Sequence, residues 1–380
     1  MCVTGRPSLG LRFCCVSGIA QPWHTRIDRT RVRCLAMHNG THDRNSYSSD
    51  NFLKLDELLS LHFIQQDSHL DPRQPAGYGF TEPRSTPINN QFMKRIFSLF
   101  FAFTALSAQA SEEMVSVPFV NWNGKPEQLE MRISKPAANT AGDKKPAVVV
   151  LHHGGGWDTQ TTKQYATLLN GAGYITAETV MFRSRMQPSH FQVPKVFATL
   201  KHLASLSDVD PSRIAVMGLS AGAFQSIYAV SDWATKKYGD GHKFASSVAF
   251  YPACWIIKKS YQNDLGRFKN SNYPDDFLNK FTGAPLTILA GGKDDYDNKK
   301  PTMCADAVDL MPDAKQKSMT KVHVFENATH GWDHGQTYSF HEPLACEGRG
   351  CTNTNQSDPA TTEAGKSMLL NILRDQLKPQ

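Results

Sequence analysis

Ser220 lies in Gly218-Leu219-Ser220-Ala221-Gly222, a G-x-S-x-G pentapeptide between the apolar run Ile214–Met217 and the helix-forming stretch that continues from Ala223. A serine hydroxyl becomes a nucleophile only when a base can take its proton. The flanking glycines permit a sharp strand-to-helix turn that lifts the hydroxyl above a sheet. Downstream, "ENATHGWD" offers His330 as that base, and "GGKDDYDN" offers Asp294 as the carboxylate that orients it. Asp295 and Asp297 stand beside Asp294 and compete for the same role. His323 falls inside a strand pattern and His334 lies further along the loop, so His330 is the expected base. The chain order Ser220, Asp294, His330 suits a serine–carboxylate–histidine triad on an α/β sheet.

A second motif lies upstream of the serine. His153-Gly154-Gly155-Gly156-Trp157 follows the apolar run "KPAVVVL". Backbone N–H groups of such a loop can hold the oxygen that turns negative when a carbonyl is attacked. Gly155 and Gly156 are the expected donors, joined by the N–H of Ala221. His152 and His153 are adjacent, and neighbours on a strand face opposite ways, which speaks against one shared metal ion.

These residues need strand ends to carry them. "EQLEMRISKP", "KPAVVVL", "YITAETVMF", "DPSRIAVMGL", "FASSVAFYP", "PLTILAGG" and "TKVHVFEN" read as strands. "TTKQYATLLNGAG", "VPKVFATLKHLASL", "SAGAFQSIYAVSDWATKKYG" and "TTEAGKSMLLNILRDQL" read as helices. The alternation predicts an α/β fold, a mostly parallel twisted sheet with helices on both faces. Function in such a sheet gathers at the carboxyl ends of the strands. The segment from Cys254 to Ala284 is the expected small cap. It is mostly polar, unlike a lipase lid, so short acyl chains are expected.

The chain divides unevenly. Lys94-Arg95, the apolar run Ile96–Leu106 and Ala108-Gln109-Ala110 follow the order of an export signal. Residues 93–110 are thus expected to be a signal peptide cleaved after Ala110, with Met93 as the natural start, 1–92 a disordered or non-native upstream extension, and 111–380 one α/β domain, periplasmic or secreted. The formal charge of +6 over 380 residues is modest, and the Lys and Arg residues are scattered. Neither nucleic acid nor stable membrane insertion is expected. The domain holds four of the eight cysteines. An even number in an exported chain suggests disulfides. Cys346 and Cys351 enclose a short loop, which leaves Cys254 with Cys304. No C-x-x-C or matching histidine spacing points to a metal.

On "VDPSRIAVMGLSAGA", "VAFYPAC", "PLTILAGGKDD" and "ENATHGWD", most of residues 140–335 resembles the α/β-hydrolase superfamily, and within it dienelactone-hydrolase-related proteins. The resemblance implies one α/β-hydrolase domain over residues 111–380 with a sheet of eight-stranded type, no cofactor, and hydrolysis of a small-molecule ester or lactone through an acyl-enzyme on Ser220. Dienelactone hydrolases proper carry cysteine at that position, so Ser220 favours ordinary esters, and the "HHGGGW" loop leans towards carboxylesterases. A serine peptidase of the same fold, or a non-catalytic binding protein on this scaffold, are the alternatives.

Overall fold

Val148, Val149 and Val150 are all fully buried, yet they belong to different cores. Alternate residues of a strand point to opposite faces, so Val149 joins one hydrophobic cluster while Val148 and Val150 join another. A strand buried on both faces reads as a continuous apolar run, as "KPAVVVL" does.

The computed structural model describes residues 110–137, 144–184 and 186–378. The expected upstream extension and, save Ala110, the expected signal peptide lie outside the described residues. Among those described, eight strands form one sheet: β1 (Ser111–Val120), β2 (Pro126–Lys135), β3 (Lys145–Leu151), β4 (Ile175–Thr179), β5 (Val209–Leu219), β6 (Ser246–Phe250), β7 (Leu286–Gly291) and β8 (Thr320–Phe325), in the order β1-β2-β4-β3-β5-β6-β7-β8. β1 and β2 pair antiparallel, and β2 is antiparallel to β4. The remaining neighbours are parallel. This is the expected α/β-hydrolase fold.

The helices Ser189–Ser205 and Ala221–Tyr228 cover one face through Val193, Phe197 and Ile227. The helices Lys163–Gly171 and Pro359–Gln376 cover the other through Tyr165, Leu169, Leu369 and Leu373. Among the described residues, no helix is long and apolar enough to cross a membrane.

Three departures from the sequence reading are local. β1 was not expected as a strand. The stretch from Ala221 to Tyr238 is two helices rather than one, Ala221–Tyr228 and Asp232–Tyr238. The Ser231 hydroxyl accepts the Ala234 N–H and starts the second helix afresh. Finally, a two-stranded hairpin, β9 (Tyr338–Glu342) with β10 (Cys351–Asn355), projects between β8 and the last helix.

Candidate active site

Ser220 caps the Ala221–Tyr228 helix with φ 49° and ψ −107°. A non-glycine residue held there stores strain of about 1–3 kcal/mol. Gly218 and Gly222, two residues to either side, have no room for a side chain. A Cβ on Gly218 would lie 2.1 Å from the Gly222 carbonyl oxygen, and one on Gly222 would lie 2.5 Å from that of Leu151. The Ser220 N–H donates to the Phe250 carbonyl at 3.0 Å, tying the turn to the end of β6.

The loops after β7 and β8 touch backbone to backbone. Gly292 N–H donates to Phe325 O, and Lys293 N–H to Ala328 O, each at 2.9 Å. A Cβ on Gly292 would meet Glu326 O at 2.5 Å. This close approach brings Asp294 against His330. His330 Nδ1 lies 2.8 Å from Asp294 Oδ2, and His330 Nε2 lies 2.7 Å from Ser220 Oγ. The arrangement has Nδ1–H donating to the carboxylate and Nε2 accepting from the serine hydroxyl. Both His330 and Asp294 are buried. The other Asp294 oxygen accepts the Tyr296 N–H at 2.8 Å. Tyr296 packs its ring 4.2 Å from the imidazole, and Tyr251 meets it edge-on at 5.0 Å.

The three neighbouring carboxylates face different ways. Asp295 Oδ2 accepts the Thr354 N–H at 2.9 Å, on β10. Asp297 accepts the N–H groups of Cys254 (3.1 Å) and Trp255 (2.9 Å), capping the Cys254–Tyr261 helix. Burial, with Asp294 nearby, pushes the Asp297 carboxyl well up. Only Asp294 of the three bonds His330.

The glycine loop differs from expectation. Gly155 N–H donates to His153 Nδ1 at 2.9 Å, and Gly156 N–H to the His153 carbonyl at 3.1 Å. Burial drives the His153 pKa down to about 3, with His334 adding to the shift. The ring is therefore neutral. Since Nδ1 accepts, Nε2–H points to Thr159 Oγ1 at 3.2 Å, and that hydroxyl donates to Gly156 O at 2.8 Å. Gly156 lies off the cavity wall. A Cβ there would sit 1.9 Å from the Arg183 carbonyl oxygen, so its part is close packing. Gly154 and Ala221 line the cavity beside Ser220. Among the described residues no backbone bond takes either N–H.

Above these groups opens a cavity of about 1000 Å³, at the upper end of the range of about 300–1000 Å³ for small-molecule sites. The expected cap contributes Ile256, Leu265 and Phe268. Sequence reasoning missed the second wall, the β9–β10 hairpin with Tyr338 and Phe340. Stacked rings run from the glycine loop along it: His153 on His334 (4.2 Å), His334 on Tyr338 (6.0 Å), Tyr338 on Phe340 (5.9 Å). Beneath them Asp333 is buried and accepts the hydroxyls of Tyr165 and Tyr251.

Each wall is stapled. Cys254 is bonded to Cys304 and Cys346 to Cys351. Cys254, Cys304 and Asp297 cluster closely enough to suggest metal ligands. The S–S bond, however, consumes the thiolates an ion would need.

No protein-family model matches the chain. An Escherichia coli K12 protein described as "Uncharacterized protein YcjY" is 29% identical over 132 residues, and the alignment spans 32% of this chain and 43% of that protein. The chain thus covers less than half the length of that relative. Among solved structures, it is similar to Thermogutta terrifontis esterase 2 (TM-score 0.49, 15% identity, 70% of this chain and 97% of that one). A bacterial heroin esterase gives TM-score 0.48 and 16% identity, over 76% of this chain and 91% of that one. A dienelactone hydrolase-like promiscuous phosphotriesterase from metagenomic libraries gives 0.46 and 14%, over 70% and 100%.

Proposed function

We propose that the protein is a serine hydrolase of small carboxylic esters or lactones. The observation that carries this is the continuous chain from Ser220 Oγ through His330 to Asp294, beneath a cavity large enough for a small molecule. Ser220 Oγ attacks the ester carbonyl carbon while His330 Nε2 takes its proton. Asp294 keeps the imidazole in the productive tautomer and stabilises the imidazolium. The negative oxygen is held by the Ala221 N–H, at the start of a helix where the dipole favours negative charge, together with Gly154. The tetrahedral species collapses, the C–O bond breaks, and His330 returns the proton to the departing alcohol. Water then attacks the acyl-enzyme by the same route and frees the acid. No step calls on a cofactor.

Gly154 replaces Gly155 and Gly156 as loop donor in this account, because their N–H groups are engaged within the loop. The export reading is proposed alongside: residues 93–110 direct secretion, and residues 111–380 act in the periplasm or outside. Two cystines are compatible with an oxidising compartment. N-terminal sequencing of the mature protein checks this, with Ser111 as the expected first residue.

The test of activity is release of p-nitrophenol from p-nitrophenyl acetate and butyrate, with Ser220→Ala as control. Turnover that survives in Ser220→Ala overturns the assignment. Turnover confined to peptide substrates would favour a peptidase of this fold, and binding without turnover a non-catalytic scaffold.

A further inference from the structure

Gln192 and Gln225 are 2% and 3% exposed, and both line the cavity. Gln192 lies in the first turn of the Ser189–Ser205 helix, and Gln225 on the helix that Ser220 caps. Neither Oε1 nor Nε2 of Gln192 has a hydrogen-bond partner among the described residues, and nor does Oε1 of Gln225. Buried amides are paired as a rule, because losing water without a substitute is costly. Both side chains line one cavity, and with three amide atoms unpartnered a small rotation of either would turn them to a partner that arrives from outside.

We infer that the cavity selects esters in which one arm, acyl or alcohol, carries neutral hydroxyl or carbonyl groups that exchange hydrogen bonds with Gln192 and Gln225. This rests on the ester-hydrolase reading above and names its substrate class. Gln192 can both donate and accept, while Gln225 Oε1 accepts, so a hydroxyl satisfies either. The nearby rim is of the same character. Asn270 and Asn272 reach His190 at 3.2 and 3.3 Å, and burial lowers the His190 pKa. On the same loop Lys269 and Asp275 pair with each other at 2.7 Å, leaving neutral amides to hold the arm. A purely apolar chain would cover the glutamines and leave them unpaired. A site built to hydrogen-bond a group rejects the analogue that lacks it far more strongly than a greasy pocket rejects an added hydroxyl.

The test compares matched esters in each arm. For the acyl arm these are p-nitrophenyl ω-hydroxyhexanoate and p-nitrophenyl heptanoate. For the alcohol arm they are glucose acetylated on its primary hydroxyl and cyclohexylmethyl acetate. In at least one pair the hydroxyl-bearing member should show kcat/KM higher by about tenfold or more. The same preference should appear in Kd measured by calorimetry with Ser220→Ala. Gln192→Leu and Gln225→Leu should each shrink the ratio, to near one when combined. Replacing an unpaired buried amide by an apolar side chain of similar volume is tolerated, and circular dichroism melts verify the fold of each variant. Ser220-dependent turnover with no polar preference in either pair overturns the inference and leaves the hydrolase reading standing. A Kd preference abolished by the glutamine variants, without turnover of any ester, sustains the subsite and overturns the hydrolase reading. Equal Kd within both pairs together with no turnover overturns both.

Discussion

Ser220, Asp294 and His330 follow the ends of three parallel strands, whereas Ile256, Phe268, Tyr338 and Phe340 stand on segments inserted between the core elements. The first group is fixed by backbone packed on backbone, so tightly that Gly218, Gly222 and Gly292 have no room for a Cβ. The second is fixed by burial of Trp255, Ile257 and Phe277 in the core, by the long-range Cys254–Cys304 cystine and the local Cys346–Cys351 one, and by hydrogen bonds to the Asp295–Asp297 turn. The floor of the site thus tolerates almost no change, and its walls can change as long as their ties remain. On the proposed reading chemistry belongs to the floor, and substrate choice to the walls together with Gln192 and Gln225 on the core helices, and variants can separate the two.

The largest effect should come from the floor. Ser220→Ala or His330→Ala should each lower kcat by about 10⁴-fold or more, and the double variant should be no worse, because the members act as a unit. Steady-state kinetics on p-nitrophenyl butyrate measures this. Next comes the acid. Asp294→Asn should cost about 10²- to 10⁴-fold in kcat, while Asp295→Asn should cost less than about tenfold, since an asparagine oxygen can still accept the Thr354 N–H. A larger loss from Asp295→Asn would break the division between floor and wall.

The cystines sharpen it in stability. Cys254→Ala/Cys304→Ala opens a link between residues 50 apart, and Cys346→Ala/Cys351→Ala one between residues 5 apart. On chain entropy alone these contribute about 4 and about 2 kcal/mol. Urea unfolding should rank them in that order. The hairpin variant should raise KM more than it lowers kcat.

The last effect concerns acid, and buried carboxylates offset part of it. Burial lowers the pKa of His152 to about 4, His153 to about 3 and His334 to about 4, from an ordinary 6.5. As pH falls below 6.5 the unfolded chain binds these protons first. The stability they contribute is therefore present above that pH and is lost as pH falls towards 4. Asp297 and Asp333, pushed up by burial, act in the opposite sense. The urea midpoint should fall between about pH 7 and about pH 5, and His334→Gln should flatten that fall.

The floor was legible because its signals are local. Apolar runs mark β3, β5 and β7, glycines mark the turns, the serine follows β5 directly, and the histidine lies in the short loop after β8. The acid was less legible. Asp294, Asp295 and Asp297 share one turn, and what separates them is distant: His330, Thr354 and the N–H groups at Cys254 and Trp255. The glycine loop posed the same difficulty, since three identical residues differ only in what their N–H groups meet: the His153 ring for Gly155, the His153 carbonyl for Gly156, and no backbone acceptor for Gly154 among the described residues. The hairpin was invisible for another reason. β9 is "YSFHE" and almost wholly exposed, and β10 is "CTNTN", with no apolar alternation for a sequence pattern to register. The split after Tyr228 did leave a sign in Ser231-Asp232, overridden by apolar residues on both sides.

The Asp294–Asp297 turn ties all of this together. One residue bonds His330, the next bonds Thr354 and through its carbonyl Cys346, the next accepts Glu347 N–H, and the last caps the Cys254–Tyr261 helix. Four consecutive residues therefore set the distance from His330 to both rims. Such a turn works as a gauge block rather than as a hinge. On the proposed hydrolase reading, activity should therefore end abruptly once the substrate outgrows that fixed distance.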